Sequence, residues 1–511
     1  MFIAVVFTVA TYAQVTHVEW GAPFSGKIIR SGFQVLSSDE RGLTVLSPNP
    51  TMFSLNSVSV LKFDANMNYV STAKIPLSYQ GKDLNFEFMV RLKGHTLVFS
   101  SYVDAKAGFK ALYYMEYEEA TQALTTNTVK VLDMPIVGKP FPSVGTFFYV
   151  LSPDSAKMAV VYNPPTSKDG KEKFGCAVLD EDLSLMSTRM DAFPFKDRNF
   201  NLESAAVSQE GVVFLNGTLT TGLKNPLKRE PNYKYAILMM SPDASAPQEI
   251  YVDLDKFFIT DLQVGCDING DLIAAGFYSE KGNFSMKGCL SVKIDGASGE
   301  ILKSFHKEFP LELITAGMTD KQADRTEDKA EKGQNIEMEK YIMDNLVLRP
   351  DNGVYLVAEQ YYSVTTYSSS NGSTSSRTTY YGRDIIVVGI NENGEIDVTQ
   401  KVLKKQKSSS QIMVSYVMTL KGSDLYFAFT DSPLNNAPHP PSTQWASYGK
   451  SGVTTIACVN SQGGMTRKNL YTFDKNKAIV LPGWSEILKN GSMVLVTRYG
   501  TKLRLGLVAI E

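Results

Sequence analysis

Eight times along the chain a tight turn runs into a short apolar strand. The copies read RGLTVLSP (41–48), GHTLVFSSY (94–102), AKMAVVYN (156–163), GVVFLNGTL (211–219), GDLIAAGFY (270–278), NGVYLVAEQY (352–361), GSDLYFAFTD (422–431) and NGSMVLVTRY (490–499). Starts at 41, 94, 156, 211, 270, 352, 422 and 490 give steps of 53, 62, 55, 59, 82, 70 and 68 residues. Periods of this size, built from strands and turns alone, mark a β-propeller with one four-stranded sheet per repeat. Blades stacked around one axis form a single unit, so the length of 511 residues does not require several domains.

A second turn recurs between the third and fourth strands of each copy. It reads FDANMN (63–68), VLDEDL (178–183), SPDAS (241–245), KIDGASG (293–299), INENG (390–394) and NSQGG (460–464), with YEEAT (117–121) a weaker version. Asp and Asn accept local backbone hydrogen bonds there, and Gly supplies a positive φ. Seven copies carry this turn; the eighth stops at LGLVAIE with three strands. The segment VTHVEWG (15–21) precedes the first blade and has no sheet of its own. It is expected to complete the last blade, because an open ring leaves an unpaired strand edge. The fold expected is therefore all-β: one propeller of eight four-stranded blades, the last closed by the N-terminal strand. A count of seven follows if one weak copy is decoration.

Composition agrees with a β-protein, with 27 Phe and 25 Tyr beside Val-, Ile- and Leu-rich runs. A net charge of −2 argues against a dedicated nucleic-acid binder. Phe2 to Ala10 is a compact apolar stretch, and Thr11 and Ala13 stand at −3 and −1 to a cut before Gln14. Residues 1–13 thus read as a signal peptide, truncated at its start because no Lys or Arg precedes Lys27. An apolar first strand is the alternative. No later stretch is long and apolar enough for a membrane helix. The propeller, residues 14–511, is expected to be exported to the periplasm, the outer envelope or the medium. Cys176, Cys289 and Cys458 fall in third strands of separate blades. Cys266 lies in the blade of Cys289 but two strands away, beyond disulfide reach. The four read as small buried hydrophobes, holding no metal and forming no framework.

The stretches VYLVAEQYY (354–362), RDIIVVGINENGEI (383–396), VLKKQ (402–406) and DLYFAFTD (424–431), with the N-terminal VEWG (18–21), resemble a group of uncharacterised exported bacterial β-propeller proteins. The resemblance implies a propeller and export. It brings no catalytic residues, and Asp397 in INENGEIDV stands where an aromatic is expected.

Long segments all follow second or fourth strands, which open on one face of a propeller. A charged run of helical composition, DKQADRTEDKAEK (320–332), fills the insertion at 310–345; others occupy 360–382 and 431–452. Insertions on one face of a repeat array mark its binding face. Tyr361 to Tyr367 and Arg377 to Tyr381 are expected to form a projecting hairpin around a Ser- and Gly-rich tip, 368–376. Tyr362, Tyr367, Tyr380 and Tyr381 could offer flat amphipathic surfaces to a sugar or peptide, and Trp445 and Tyr448 extend the patch. Cross-strand Tyr pairs also serve simply to stabilise a hairpin, and the sequence leaves both roles open.

Signs of chemistry are few. His17, His95, His306 and His439 are dispersed, and no GxSxG elbow, P-loop or CxxC is present. DINGD (267–271) looks like the start of a calcium loop but sits at a hairpin turn without the later ligands. No cofactor, metal or catalytic residue is assigned. Two functions stay open: a non-catalytic exported scaffold that binds an envelope protein or glycan through blades 5–7, or a glycan hydrolase or lyase with carboxylates and Tyr at the central mouth. Lacking a catalytic motif, the first leads.

Overall fold

A computed structural model describes residues 17–510 apart from 30, 51–54, 122, 139–142, 167–169, 221, 223–230, 281, 283–284, 371–372, 437–442, 450 and 477. The expected signal segment 1–13 and His439 lie outside the described residues. The structure is nearly all-β and is a β-propeller. Among the described residues, eight antiparallel sheets have four or more strands, and two small two-stranded ribbons accompany them.

Burial along each sheet explains why the second strand carried the repeat signal. Second strands are buried on both faces, as in Leu272–Ser279, because a neighbouring sheet covers each side. Fourth strands such as Tyr69–Pro76 and Ile301–Glu308 are largely exposed, which places them at the rim of the disc. First strands are half-exposed and touch one another from sheet to sheet. Thr146–Leu151 of the third sheet contacts Phe200–Val207 of the fourth, which contacts Phe258–Cys266 of the fifth, which contacts Ile342–Leu348 of the sixth. They therefore line the axis.

Apolar side chains from consecutive sheets interdigitate in a closed series of cores. Leu46 and Val60 of the first sheet meet Val98 of the second, and Phe99 of the second meets Met158 of the third. The series continues through Val161 with Leu215, Phe214 with Leu272, Ala275 with Leu356, Tyr355 with Phe427, and Tyr426 with Leu495. Val494 and Leu505 of the last sheet then pack with Val45 and Leu61 of the first. Among the described residues no sheet in this series has a free face.

The last sheet joins both ends of the chain. Val18–Trp20 pairs antiparallel with Lys502–Val508, Val18 opposite Val508 and Trp20 opposite Gly506. A Cβ at position 506 would lie 2.7 Å from the Trp20 ring, so only Gly lets the indole lie on the strand. Trp20 also meets Tyr471 edge-on at 4.9 Å, and the Arg504 guanidinium lies 4.7 Å from its ring. Where an inner strand would stand, the last sheet has two short pieces, Ile479–Val480 and Glu486–Ile487.

The third-to-fourth-strand turns show their chemistry directly. Asp64 Oδ1 accepts the Asn66 and Asn68 amides at 2.9 and 2.8 Å, and Asn460 Oδ1 accepts those of Gln462 and Gly464 at 3.0 and 2.7 Å. Gly463 supplies the positive φ in the latter turn, but Met67 supplies it in the former, at 61°. The carboxylate bonds hold that turn without the glycine expected for it.

The insertion after the fifth sheet begins with the helix Leu311–Thr315, which buries Leu313 and Ile314. It continues into the helix Asp320–Glu331, capped by Thr319 and Gln322 and with no buried residue. The sixth sheet begins at Ile342, so Asp344 belongs to its first strand. The sixth-sheet hairpin is longer than the sequence suggests: its strands, Val354–Ser370 and Ser373–Ile390, pair as far as Ser370 with Ser373. Most of the expected tip is therefore paired backbone.

Candidate functional site

Six aromatic residues were singled out from the sequence, and the structure brings three of them together. Tyr362 and Tyr381 stand directly opposite each other on the hairpin and stack at 4.8 Å with 12° between their planes. Trp445, from the second-to-third-strand loop of the seventh sheet, meets Tyr381 edge-on at 6.0 Å. Tyr362 remains 40% exposed and Trp445 38%, so the group is a surface platform. Its position is fixed from both sides. The strand Gln406–Ser408 pairs with the hairpin at Tyr380–Gly382, and the Lys405 carbonyl accepts the Ala446 amide at 2.7 Å. Lys405 and Lys407 place their ammonium groups 4.8 and 5.0 Å from the Trp445 ring centre.

The other three candidates lie apart. Tyr380 and Tyr367 stand at odd offsets from the Tyr362–Tyr381 pair, on the opposite face of the hairpin. Tyr367 is 75% exposed. Tyr448 turns inward: its hydroxyl donates to the Met413 carbonyl at 2.9 Å, and its ring packs against the core between the last and first sheets. It is not part of the platform.

A second feature at the same face was not read from the sequence. First strands begin on the face where the insertions emerge. Near those starts the second, fourth and sixth sheets each carry a β-bulge, and the residues passed over are Glu87, Glu203 and Asp344. In the fifth sheet Asp261 flanks the bulge. A bulge re-aims a side chain, here at the mouth of the central channel. Glu203 accepts the Tyr235 hydroxyl at 2.9 Å and Asp344 accepts that of Tyr416 at 2.7 Å. Asp261 accepts the Met343 amide at 3.0 Å. Glu203 and Asp344 reach solvent, yet the channel walls crowd them. Desolvation raises the pKa of Glu203 and of Asp261 and brings Asp344 to about 6, with the charges of Glu359 and Asp261 adding to the last. Aligning the first strands, as the second strands were aligned, puts an acid near the start of four of them. That was the available signal.

Glu359 connects mouth to platform, since it lies on the same strand as Tyr362. It is buried against Lys404 Nζ, which also reaches Gln406 Oε1 at 3.2 Å. Asp397, the departure noted in INENGEIDV, is a bidentate partner of Arg349 at 2.7 and 2.8 Å. The DINGD turn is tied by Lys293, whose ammonium lies 2.9 Å from Asp267 and 3.0 Å from Asp271. His95 bonds Glu116, and His306 packs on Phe257 and Tyr278. All four cysteines are buried free thiols. Among the described residues no helix is long and apolar enough to cross a membrane, and no group of three or more His, Cys, Asp or Glu is placed to hold a metal ion.

No family model matches the chain, and no curated protein is similar to it in sequence. Solved structures give distant likenesses. The polysaccharide lyase Uly1 is 9% identical over 85% of this chain and 94% of its own, with a TM-score of 0.38. The β-propeller domain of the Trilobed protease from Pyrococcus furiosus is 8% identical over 90% and 97%, with a TM-score of 0.35. The α-L-arabinanase of Penicillium chrysogenum, solved with arabinobiose, is 10% identical over 68% and 93%, with a TM-score of 0.31. Likeness of this degree carries no argument about activity.

Proposed function

We propose that this protein is an exported propeller that binds a glycan chain on its insertion-bearing face, with Tyr362, Tyr381 and Trp445 as the platform. The observation that carries the reading is the exposed Tyr362–Tyr381 stack with Trp445 set against it from the next sheet. Flat rings with polar tips suit a sugar face, which is apolar at its C–H groups and ringed by hydroxyls. Further along the same face of the hairpin Ser368 and Ser375 add hydroxyls, bonded to each other at 2.7 Å. An envelope protein is the competing ligand. The test is calorimetric titration with a panel of oligosaccharides against wild type and Trp445→Ala. Truncating a true anchor costs about 2 kcal/mol, roughly a thirtyfold loss of affinity, with the melting transition unchanged. Equal binding by wild type and variant would sink the platform.

Asp344 favours a second reading, a glycan-active enzyme with its site at the channel mouth. A carboxyl with a pKa of about 6 can hold or release a proton near neutral pH, as general acid–base catalysis needs. Release of reducing ends from a bound glycan is then expected, and Asp344→Asn should slow it about a hundredfold or more while binding persists. A glycan bound tightly and never cleaved removes this reading. Export belongs to the same proposal: the native mature protein should begin at Gln14 or its cyclised form by mass spectrometry, and an intact Met1 would contradict it.

A further inference from the structure

We propose that the ligand of the platform is an anionic glycan, whose carboxylate or sulfate groups are held by Lys405 and Lys407; this rests on the glycan reading above. Four lysines lie in the segment KVLKKQK (401–407), and the structure divides them into two pairs. Lys401 and Lys404 are buried and have partners. Lys401 Nζ donates to the Ile314 and Ala316 carbonyls at 3.4 and 3.1 Å, and Lys404 Nζ meets the Glu359 carboxylate. Lys405 and Lys407 instead lie against the ring of Trp445, with Lys407 exposed and directly opposite Tyr381 in the strand pairing.

The ring attracts both ammonium groups through its quadrupole but neutralises neither. Carboxylates of this sector are already engaged. Glu359 is held by Lys404, Asp431 by Arg467, and Asp384 Oδ1 accepts the Lys404 amide at 3.1 Å. Among the described residues neither Lys405 nor Lys407 has a carboxylate within ion-pair reach. The pair therefore leaves a concentrated positive potential beside exposed aromatic faces, on a chain whose net charge is −2. A neutral sugar would use the rings and leave both charges unanswered. One bearing carboxylates or sulfates uses both, through charge-assisted hydrogen bonds.

The test compares three oligosaccharide sets of equal length, uncharged, uronate-bearing and sulfate-bearing, by titration at low and high salt. Wild type should favour at least one charged set over the uncharged one by about tenfold at low salt, and the margin should shrink as salt screens it. The two charged arms tell carboxylate from sulfate. The Lys405→Gln/Lys407→Gln double variant, with melting unchanged, should lose the margin and bind the uncharged set as wild type does. Trp445→Ala should weaken all sets. Equal binding of charged and uncharged sets by wild type, or a margin that survives in the lysine variant, overturns the inference and leaves the glycan reading standing. Binding of none of the three sets overturns both.

Discussion

Lys404 Nζ has no access to solvent and depends on the Glu359 carboxylate, itself 2% exposed, for its charge partner. Removing one member strands the other in a low-dielectric interior, so Glu359→Gln or Lys404→Met should each cost about 3–5 kcal/mol in chemical denaturation. Replacing both with apolar residues of matching size should recover most of that loss. Single variants as stable as wild type would show that water reaches the pair. Glu172 offers a pH-dependent counterpart in the third sheet. Buried and hydrogen-bonded by Asn163 at 2.7 Å, its carboxyl is pushed up to about 7, chiefly by burial, with the Asp197 charge adding to it. A folded pKa above the unfolded value gives stability that is complete in acid and lost as pH rises through about 7. Between pH 5 and 8 the loss should be on the order of 3 kcal/mol. Melting midpoints should fall over that range in wild type and fall less in Glu172→Gln; an identical slope in both would remove Glu172 as the cause. Neither pairing could be read from the chain: Glu359 and Lys404 are 45 residues apart and meet only where the connection after Val402 folds onto the sheet, and Asn163 meets Glu172 through the register of neighbouring strands.

Hairpins and turns were the legible elements, and the reason is local. An Asp or Asn that bonds the amides two and four residues on, as Asp180 does with Asp182 and Ser184 at 3.0 and 2.9 Å, writes the turn into a few consecutive residues. Second strands were legible because both of their faces are buried, which makes an unbroken apolar run. First strands were not: they are only half-buried, and their bulges disturb the period-2 pattern at Glu203 and Asp344. Mixed burial hides such a strand, and with it the acids at the mouth. The platform was half legible. Tyr362 and Tyr381 follow from the hairpin register, whereas Lys405 and Lys407 join them through the pairing of Gln406–Ser408 with the hairpin, and Trp445 only through a loop of the seventh sheet beside the sixth. At this scale the test is to replace 363–379 by a short turn. Exposed hairpin residues outside the ring core add little to its stability, so the melting transition should hold while glycan binding weakens, because Tyr362 and Tyr381 lose the strands that present them. A variant that melts early yet binds fully would make the hairpin a structural brace and place recognition elsewhere.

Across the whole molecule, stability depends on every sheet having two covered faces, and one sheet obtains its fourth strand from the far end of the chain. Leu505 and Val508 serve different cores, one shared with the first sheet and one with the seventh, so the strand Lys502–Val508 is a hub of the closure. Val18–Trp20 covers its open edge, and Arg504 Nε clamps the arrangement by donating to the Gly21 carbonyl at 2.7 Å. Deleting residues 17–25 would leave that edge unpaired and take Trp20 from its seat on Tyr471 and Gly506. Truncating a fully buried Trp costs about 3–5 kcal/mol, so half-buried Trp20 should cost less than that, and the ladder and the Phe24 contacts with Phe63 and Tyr69 go with it. The expected result is a lower melting midpoint and concentration-dependent association through the bared strand. Trp20→Ala separates the two effects: it should destabilise without promoting association, since the backbone ladder remains. If the deletion variant instead melts like wild type and stays monomeric, the N-terminal strand is an ornament and the ring holds through its cores alone. Because the series of cores runs unbroken around the ring, the loss should spread as one cooperative transition rather than a separate early melting of the last sheet.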